Sequence, residues 1–112
     1  MKQLALRRLG RTEMQVTEIG LGCARMGLTT RTDKNAIDAI RCGIDFGINY
    51  LDTSAAYGES ERRIGLALQG GRREKVFLQT KTGTHPSRRG DYSAESTRWS
   101  VENSLRLLKT DY

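Results

Sequence analysis

Histidine is almost missing from this chain of 112 residues, which has only His85. Cysteine is nearly as scarce: Cys23 and Cys42 stand 19 residues apart, with no C-x-x-C pair and no histidine beside them. A zinc centre takes about four nitrogen or sulfur ligands, and this donor set does not supply them. The two thiols read as free residues, buried or half-buried, since a disulfide would be unusual in a cytosolic chain. Long apolar runs are missing too. Nothing approaches the roughly 18 consecutive apolar residues of a membrane span, and MKQLALRRLGRTEMQ has no apolar core of a secretory signal. The expectation is a soluble, cytoplasmic protein without a membrane partner.

Charge is present but scattered. Lys and Arg number 19 against 13 Asp and Glu, a net +6, and arginine supplies most of it. The basic dyads Arg7-Arg8, Arg62-Arg63, Arg72-Arg73 and Arg88-Arg89 lie in separate segments, with no run of five like charges. Aromatic residues are only 6% of the chain and are not interleaved with these dyads as a base-stacking surface requires. A solvated, mildly basic surface is the expected consequence, with no nucleic-acid partner. Apolar residues at 37% are enough for a core and exclude a disordered chain. The length suits one domain.

Periodicity divides that domain. Leu4, Leu6 and Leu9 precede a polar stretch around Gly10, and Val16 and Ile19 follow it, which predicts a hairpin of two short strands over residues 1–19. Ile19-Gly20-Leu21-Gly22-Cys23 reads as a buried strand opening into a Gly-rich loop. Ile37, Ile40 and Ile44 then take helical spacing over 33–46, with Thr32 or Asp33 as cap and Gly47 after the end. A second strand is predicted at Ile48–Asp52, a helix at Ser60–Gln69, a third strand at Val76–Thr80, and a helix at Ser93–Lys109 with Val101, Leu105 and Leu108 as its apolar stripe. Strands alternating with helices make parallel, right-handed βαβ units, either in an open doubly wound sheet or in part of a (β/α)8 barrel.

In such folds functional groups collect at the carboxyl ends of the strands. Asp52 ends the second strand, Lys81 ends the third, and Tyr57 lies in the loop between them. Alternation puts Tyr50 and Asp52 on one face of their strand and Phe77, Gln79 and Lys81 on one face of the next. If both faces point to a barrel interior, a carboxylate, an ammonium and a phenol converge at its mouth. A free tyrosine is too weak an acid to protonate a carbonyl well at neutral pH. A neighbouring ammonium favours the phenolate, and a carboxylate can fix that ammonium. Such a tyrosine serves as general acid when hydride reaches a carbonyl carbon, and as general base in reverse. The alternative is a structural Asp–Lys ion pair with the tyrosine packed against it.

Asp52-Thr53-Ser54-Ala55-Ala56-Tyr57-Gly58-Glu59-Ser60-Glu61, followed by Ile64-Gly65-Leu66-Ala67-Leu68, resembles the aldo-keto reductase signature. Thr80-Lys81 and Ser104-Leu105-Arg106-Leu107-Leu108-Lys109-Thr110-Asp111-Tyr112 are similar to two further segments of that family, and Ile19–Cys23 to its first barrel strand. A weaker similarity, between Thr82 and Glu95, is to aldose or sugar dehydrogenase branches. The resemblance implies the N-terminal part of a (β/α)8 barrel: the hairpin under it, then about three βα units over 20–112. It implies reversible reduction of a small carbonyl or sugar substrate with NADP or NAD. It gives Asp52, Tyr57 and Lys81 catalytic roles, and puts Gly22, Cys23, Ala24 and Asp52 against the cofactor. The family's fourth catalytic residue is a histidine at the end of a fourth strand, past Tyr112; His85 follows the third strand and is rejected for that place. The 112 residues by themselves are therefore expected not to catalyse hydride transfer. Two alternatives stand beside it: a catalytically silent family member acting as a regulatory or binding subunit, and a basic nucleic-acid-binding module.

Overall fold

The computed structural model describes residues 3–112. A two-stranded antiparallel hairpin, β1 (Leu6–Arg8) and β2 (Gln15–Thr17), comes first, with Gly10 at φ 57° in its turn. Three strands follow, each leading into a helix: β3 (Leu21–Gly22), α1 (Asp33–Asp45), β4 (Tyr50–Asp52), α2 (Ser60–Ala67), β5 (Phe77–Gln79) and α3 (Ala94–Leu108). The three strands form a parallel sheet in the order β3-β4-β5. Its register sets Gly22 beside Asp52, and Asp52 beside Gln79. Among the described residues the arc is open, with mixed α/β content and no closed barrel. Among the described residues no helix is long and apolar enough to cross a membrane.

The helix boundaries follow from local chemistry. The Thr32 hydroxyl accepts the Asn35 N–H at the start of α1, and Gly47 at φ 101° follows its end. Ser93 caps α3 in the same way, accepting from the Ser96 N–H. Gly70 and Gly71, both left-handed, stop the chain after α2. One layer of apolar side chains separates sheet from helices: Leu51 on β4, Ile40 and Ile44 on α1, Ile64 and Ala67 on α2, with Cys23, Leu68, Val76 and Leu108. Leu51, Ile40 and Ile64 are fully buried, each contributing about 1.5–3 kcal/mol relative to exposure.

Leu51 faces the helices, so its neighbours Tyr50 and Asp52 face the other way, as alternation requires. On that open face the Tyr50 hydroxyl bonds Gln79, the facing expected from the strand period. The hairpin attaches at the opposite end from the strand exits. Asn49, just before β4, accepts the Thr17 N–H at 2.7 Å and donates to the Gln15 carbonyl at 2.8 Å. Asn49 therefore serves docking, the Ile48 N–H turns back to the Gly43 carbonyl, and the strand is shorter than Ile48–Asp52.

Two further expectations differ from the structure. The inward stripe of α3 is Ser96, Ser100, Ser104 and Leu108, while Val101 is 45% exposed. The cause is proximity: a Cβ at Gly65 of α2 would fall 2.3 Å from the Leu107 carbonyl oxygen, so only small side chains fit between the helices. Val101 and Leu105 turn instead toward a groove beside the β5 edge, about 200 Å³, shared with Leu78. Cys42 is the second correction. It lies exposed on α1, whereas Cys23 is buried as expected.

Much of the positive charge is engaged within the fold. Arg41 donates to the Leu66 and Ala67 carbonyls at the end of α2, and Arg73 binds Thr110, Val76 and Tyr112. Arg62 and Arg63 both bond Asp33 at the head of α1. Hydrogen bonds from Arg62 first, and then Arg63, hold the Asp33 carboxyl down at about 2, against an ordinary 3.8. A depressed carboxyl stabilises the fold above its unfolded value, and the contribution disappears as pH falls through the folded one. The Tm gap between the wild type and Asp33→Asn is thus expected to stay constant above about pH 5 and to close between about pH 4 and 2. A gap unchanged at pH 2 would contradict it.

Candidate active site

The sheet places Asp52 at the last position of β4 and Lys81 two residues beyond the end of β5. The Lys81 ammonium donates to Asp52 Oδ1 at 2.9 Å and to the Thr53 carbonyl at 2.7 Å. It also lies over the Tyr57 ring, 5.2 Å from the centroid, a cation–π placement. The three residues singled out by spacing thus meet at the strand exits. Lys81 and Asp52 keep 34% and 37% of their side-chain surface, so a small molecule can reach them.

Tyr57 stands on a constructed turn. Its N–H donates to the Ser54 carbonyl at 3.0 Å, and its carbonyl accepts from Ser60 at 2.9 Å. Gly58 takes φ 50°, and the Glu59 N–H reaches the Gly27 carbonyl at 3.1 Å. Gly27 belongs to the loop after β3, which makes a 3-10 turn at Ala24–Gly27. That loop is the floor under Tyr57. The Ser54 hydroxyl donates to the Thr84 hydroxyl at 2.9 Å, tying the loop after β5 to the same turn.

Cys23 is occupied on every polar atom. Its N–H donates to the Asp52 carbonyl, its carbonyl accepts from the Ser60 hydroxyl, and its thiol points at the Leu21 carbonyl. Burial, with Asp52 adding to it, pushes the thiol up to about 12, so it stays protonated and is no nucleophile at neutral pH. Gly22 and Ala24 on either side of it are exposed. A Cβ at Gly22 would meet nothing within 4 Å, so open space adjoins Asp52 there. His85 caps a short 3-10 turn, accepting the Ser87 N–H on Nδ1, with its ring 4.8 Å edge-on from Trp99. That is a loop-holding arrangement.

Spacing alone did not reveal two buried charged residues, Glu61 and Arg63, at 2% and 4% exposure on α2. Arg63 donates to the Met26, Leu28 and Arg31 carbonyls and to Asp33, which fastens the loop under Tyr57. In the sequence Arg62-Arg63 looks like a solvated dyad. A charged residue beside Ile64 on the apolar face of a helix was the available signal.

The profile of the Aldo/keto reductase family matches residues 18–112. The chain belongs to that family. Among curated relatives, oxidoreductase YqkF of Bacillus subtilis is 38% identical, over 95% of this chain and 36% of its own length. The 6-dehydroglucose reductase of Novosphingobium aromaticivorans is 35% identical, over 96% of this chain and 38% of the relative. Among solved structures, an aldo-keto reductase from Pseudomonas aeruginosa superposes with a TM-score of 0.84 at 42% identity, over 95% of this chain and 42% of that one. The holo form of aldo-keto reductase AKR11C1 from Bacillus halodurans gives 0.80 at 32% identity, over 97% of this chain and 38% of that one. This aldo-keto reductase chain thus spans little more than a third of the length of the curated relatives it matches. Its homologues are oxidoreductases, and NAD(P)-dependent carbonyl reduction is the chemistry of the family.

Proposed function

We propose that the chain supplies the proton-transfer side of an NAD(P)-dependent carbonyl reductase site. The observation that carries this reading is the Lys81 ammonium, held at 2.9 Å by Asp52 and over the Tyr57 ring, on the exit rim of a parallel sheet. Tyr57 is the general acid that protonates the carbonyl oxygen in reduction, and the general base for the alcohol in reverse. Lys81 favours the phenolate left behind, while Asp52 and the Thr53 carbonyl keep the ammonium in place. A carboxylate with no counter-charge, or an ammonium free to swing away, would lose that effect.

When bound, a nicotinamide cofactor, NADP or NAD, supplies the hydride for the carbonyl carbon. The open space at Gly22 beside Asp52 suits a flat ring with its ribose, and Gly22, Ala24 and Asp52 would line it. Cys23 would back that wall. Its polar atoms are all engaged internally, so any contact it makes is by shape. Small aldehydes, ketones or sugars are the substrates we propose; the relatives named 6-dehydroglucose reductase and L-galactose dehydrogenase support a sugar. In the whole enzyme we read residues 20–112 as the first three βα units of a (β/α)8 barrel, with the hairpin, residues 1–19, beneath. The intact Asp52–Lys81–Tyr57 trio favours an enzyme over a catalytically silent subunit.

The test joins this chain to the remaining barrel of the Pseudomonas aeruginosa relative and follows NADPH oxidation with a reactive aldehyde. The hybrid is expected to turn over, and Tyr57→Phe to lower kcat by about 10²–10⁴-fold, the usual worth of a general acid. The 112 residues by themselves are expected to show no turnover above background, because Tyr50, Phe77 and Gln79 stand on an uncovered sheet face. Full activity in the Tyr57→Phe hybrid would end this assignment.

A further inference from the structure

The first turn of α2 does more than begin a helix. Its two leading residues, Ser60 and Glu61, are 0% and 2% exposed, and each reaches a strand exit. The Ser60 hydroxyl donates to the Cys23 carbonyl after β3 and lies 2.8 Å from the Thr53 hydroxyl after β4. The Glu61 carboxylate accepts from the Thr80 hydroxyl after β5 at 3.1 Å. One helical turn therefore ties all three exits.

We propose that Glu61 is a positioning residue for the Lys81 ammonium, acting through Thr80. The inference rests on the reading above, in that Lys81 is taken as the ammonium serving Tyr57. Placing a carboxylate in the interior is unfavourable without compensation. Glu61 forms no ion pair among the described residues, and its side-chain bond is the one from Thr80. Thr80 immediately precedes Lys81, and neighbouring residues in extended chain face opposite ways. With Thr80 fixed against α2, Lys81 must project to the other side, toward Asp52. Lys81 then meets two acceptors at 2.9 and 2.7 Å, contacts that a shift of about 1 Å in the strand exit would break.

The test is selective acylation of lysine amines in the folded chain, read residue by residue by mass spectrometry. Lys34, 82% exposed on α1, serves as internal reference. Thr80→Val keeps the side-chain volume and removes the donor. It is expected to raise Lys81 labelling relative to Lys34 by about fivefold, the equivalent of one hydrogen bond. Glu61→Ala should do the same, and the double variant should add nothing further. Glu61→Gln and Thr80→Ser, which keep an acceptor and a donor, should label like the wild type. Unchanged Lys81 labelling in folded Thr80→Val overturns the proposal, as does a fivefold rise in Glu61→Gln. Labelling requires no turnover, so an inactive Tyr57 hybrid and an unresponsive Lys81 are separate results with separate meanings.

Discussion

Replacing Gly27 with alanine is expected to lower stability by about 3 kcal/mol and to push Tyr57 away from Lys81. A Cβ at this position would lie 1.6 Å from the Tyr57 carbonyl oxygen and 2.5 Å from its carbon. Those are backbone atoms, so no rotamer change relieves the overlap. The loop after β3 and the turn carrying Tyr57 must separate instead. That separation stretches the bond from the Glu59 N–H to the Gly27 carbonyl, and it reaches Gly58, whose own Cβ would sit 2.5 Å from that oxygen. Urea unfolding is the measurement. The midpoint should fall by about 1.5 M, at a slope of about 2 kcal/mol per molar. Gly22→Ala is the control, because a Cβ there meets nothing within 4 Å, and its midpoint should hold. A Gly27→Ala midpoint equal to the wild type would mean that the two loops do not touch.

Close approaches of this kind explain which features could be read from the sequence. Thr32, Gly47 and Ser93 act within three or four residues of the groups they serve, so the ends of α1 and the start of α3 were legible. The pairing of Asp52 with Lys81 was legible as well. Strand alternation and one intervening βα unit put the two residues at one height, and a shared facing makes the ion pair. A chemical role for that pair was read from the family signature, since spacing left a structural ion pair as the alternative.

What stayed hidden depends on distances between elements. The serine stripe of α3 exists because Gly65 lets α2 come within contact of Leu107 and Leu108, and no periodicity rule reveals an interhelical distance. By apolar spacing alone, Val101 outranks Ser100, and the structure reverses that order. Asn49 joins the hairpin to the sheet through partners 32 and 34 residues away, with no local mark. Glu61 was visible as a letter in the signature and silent about its partner, because Thr80 lies 19 residues on. Its burial is a property of the assembled exits.

Arg63 is another of these hidden residues, 4% exposed, and its loss is the second large effect expected. Arg63→Met should cost about 3 kcal/mol, less than the sum of its bonds, because the freed loop can open to water. Three carbonyls, of Met26, Leu28 and Arg31, lie 2.7–2.9 Å from its terminal nitrogens, and Nε holds Asp33 at 2.9 Å. Methionine fills most of the space and supplies none of those donors. Lysine keeps the charge, yet its single ammonium cannot span four acceptors spread from Met26 to Asp33. Arg63→Lys should therefore recover little of the loss. The effect reaches the site, since Gly27 sits between two of those carbonyls and supports Tyr57. Hydrogen exchange of the amides from Met26 to Arg31 should quicken with Tyr57 displaced, while the β4–β5 ladder keeps its protection. Recovery of full stability by lysine would show that attraction to Asp33, not the fan of carbonyls, holds the loop. The floor under Tyr57 would then depend chiefly on charge and weaken with salt.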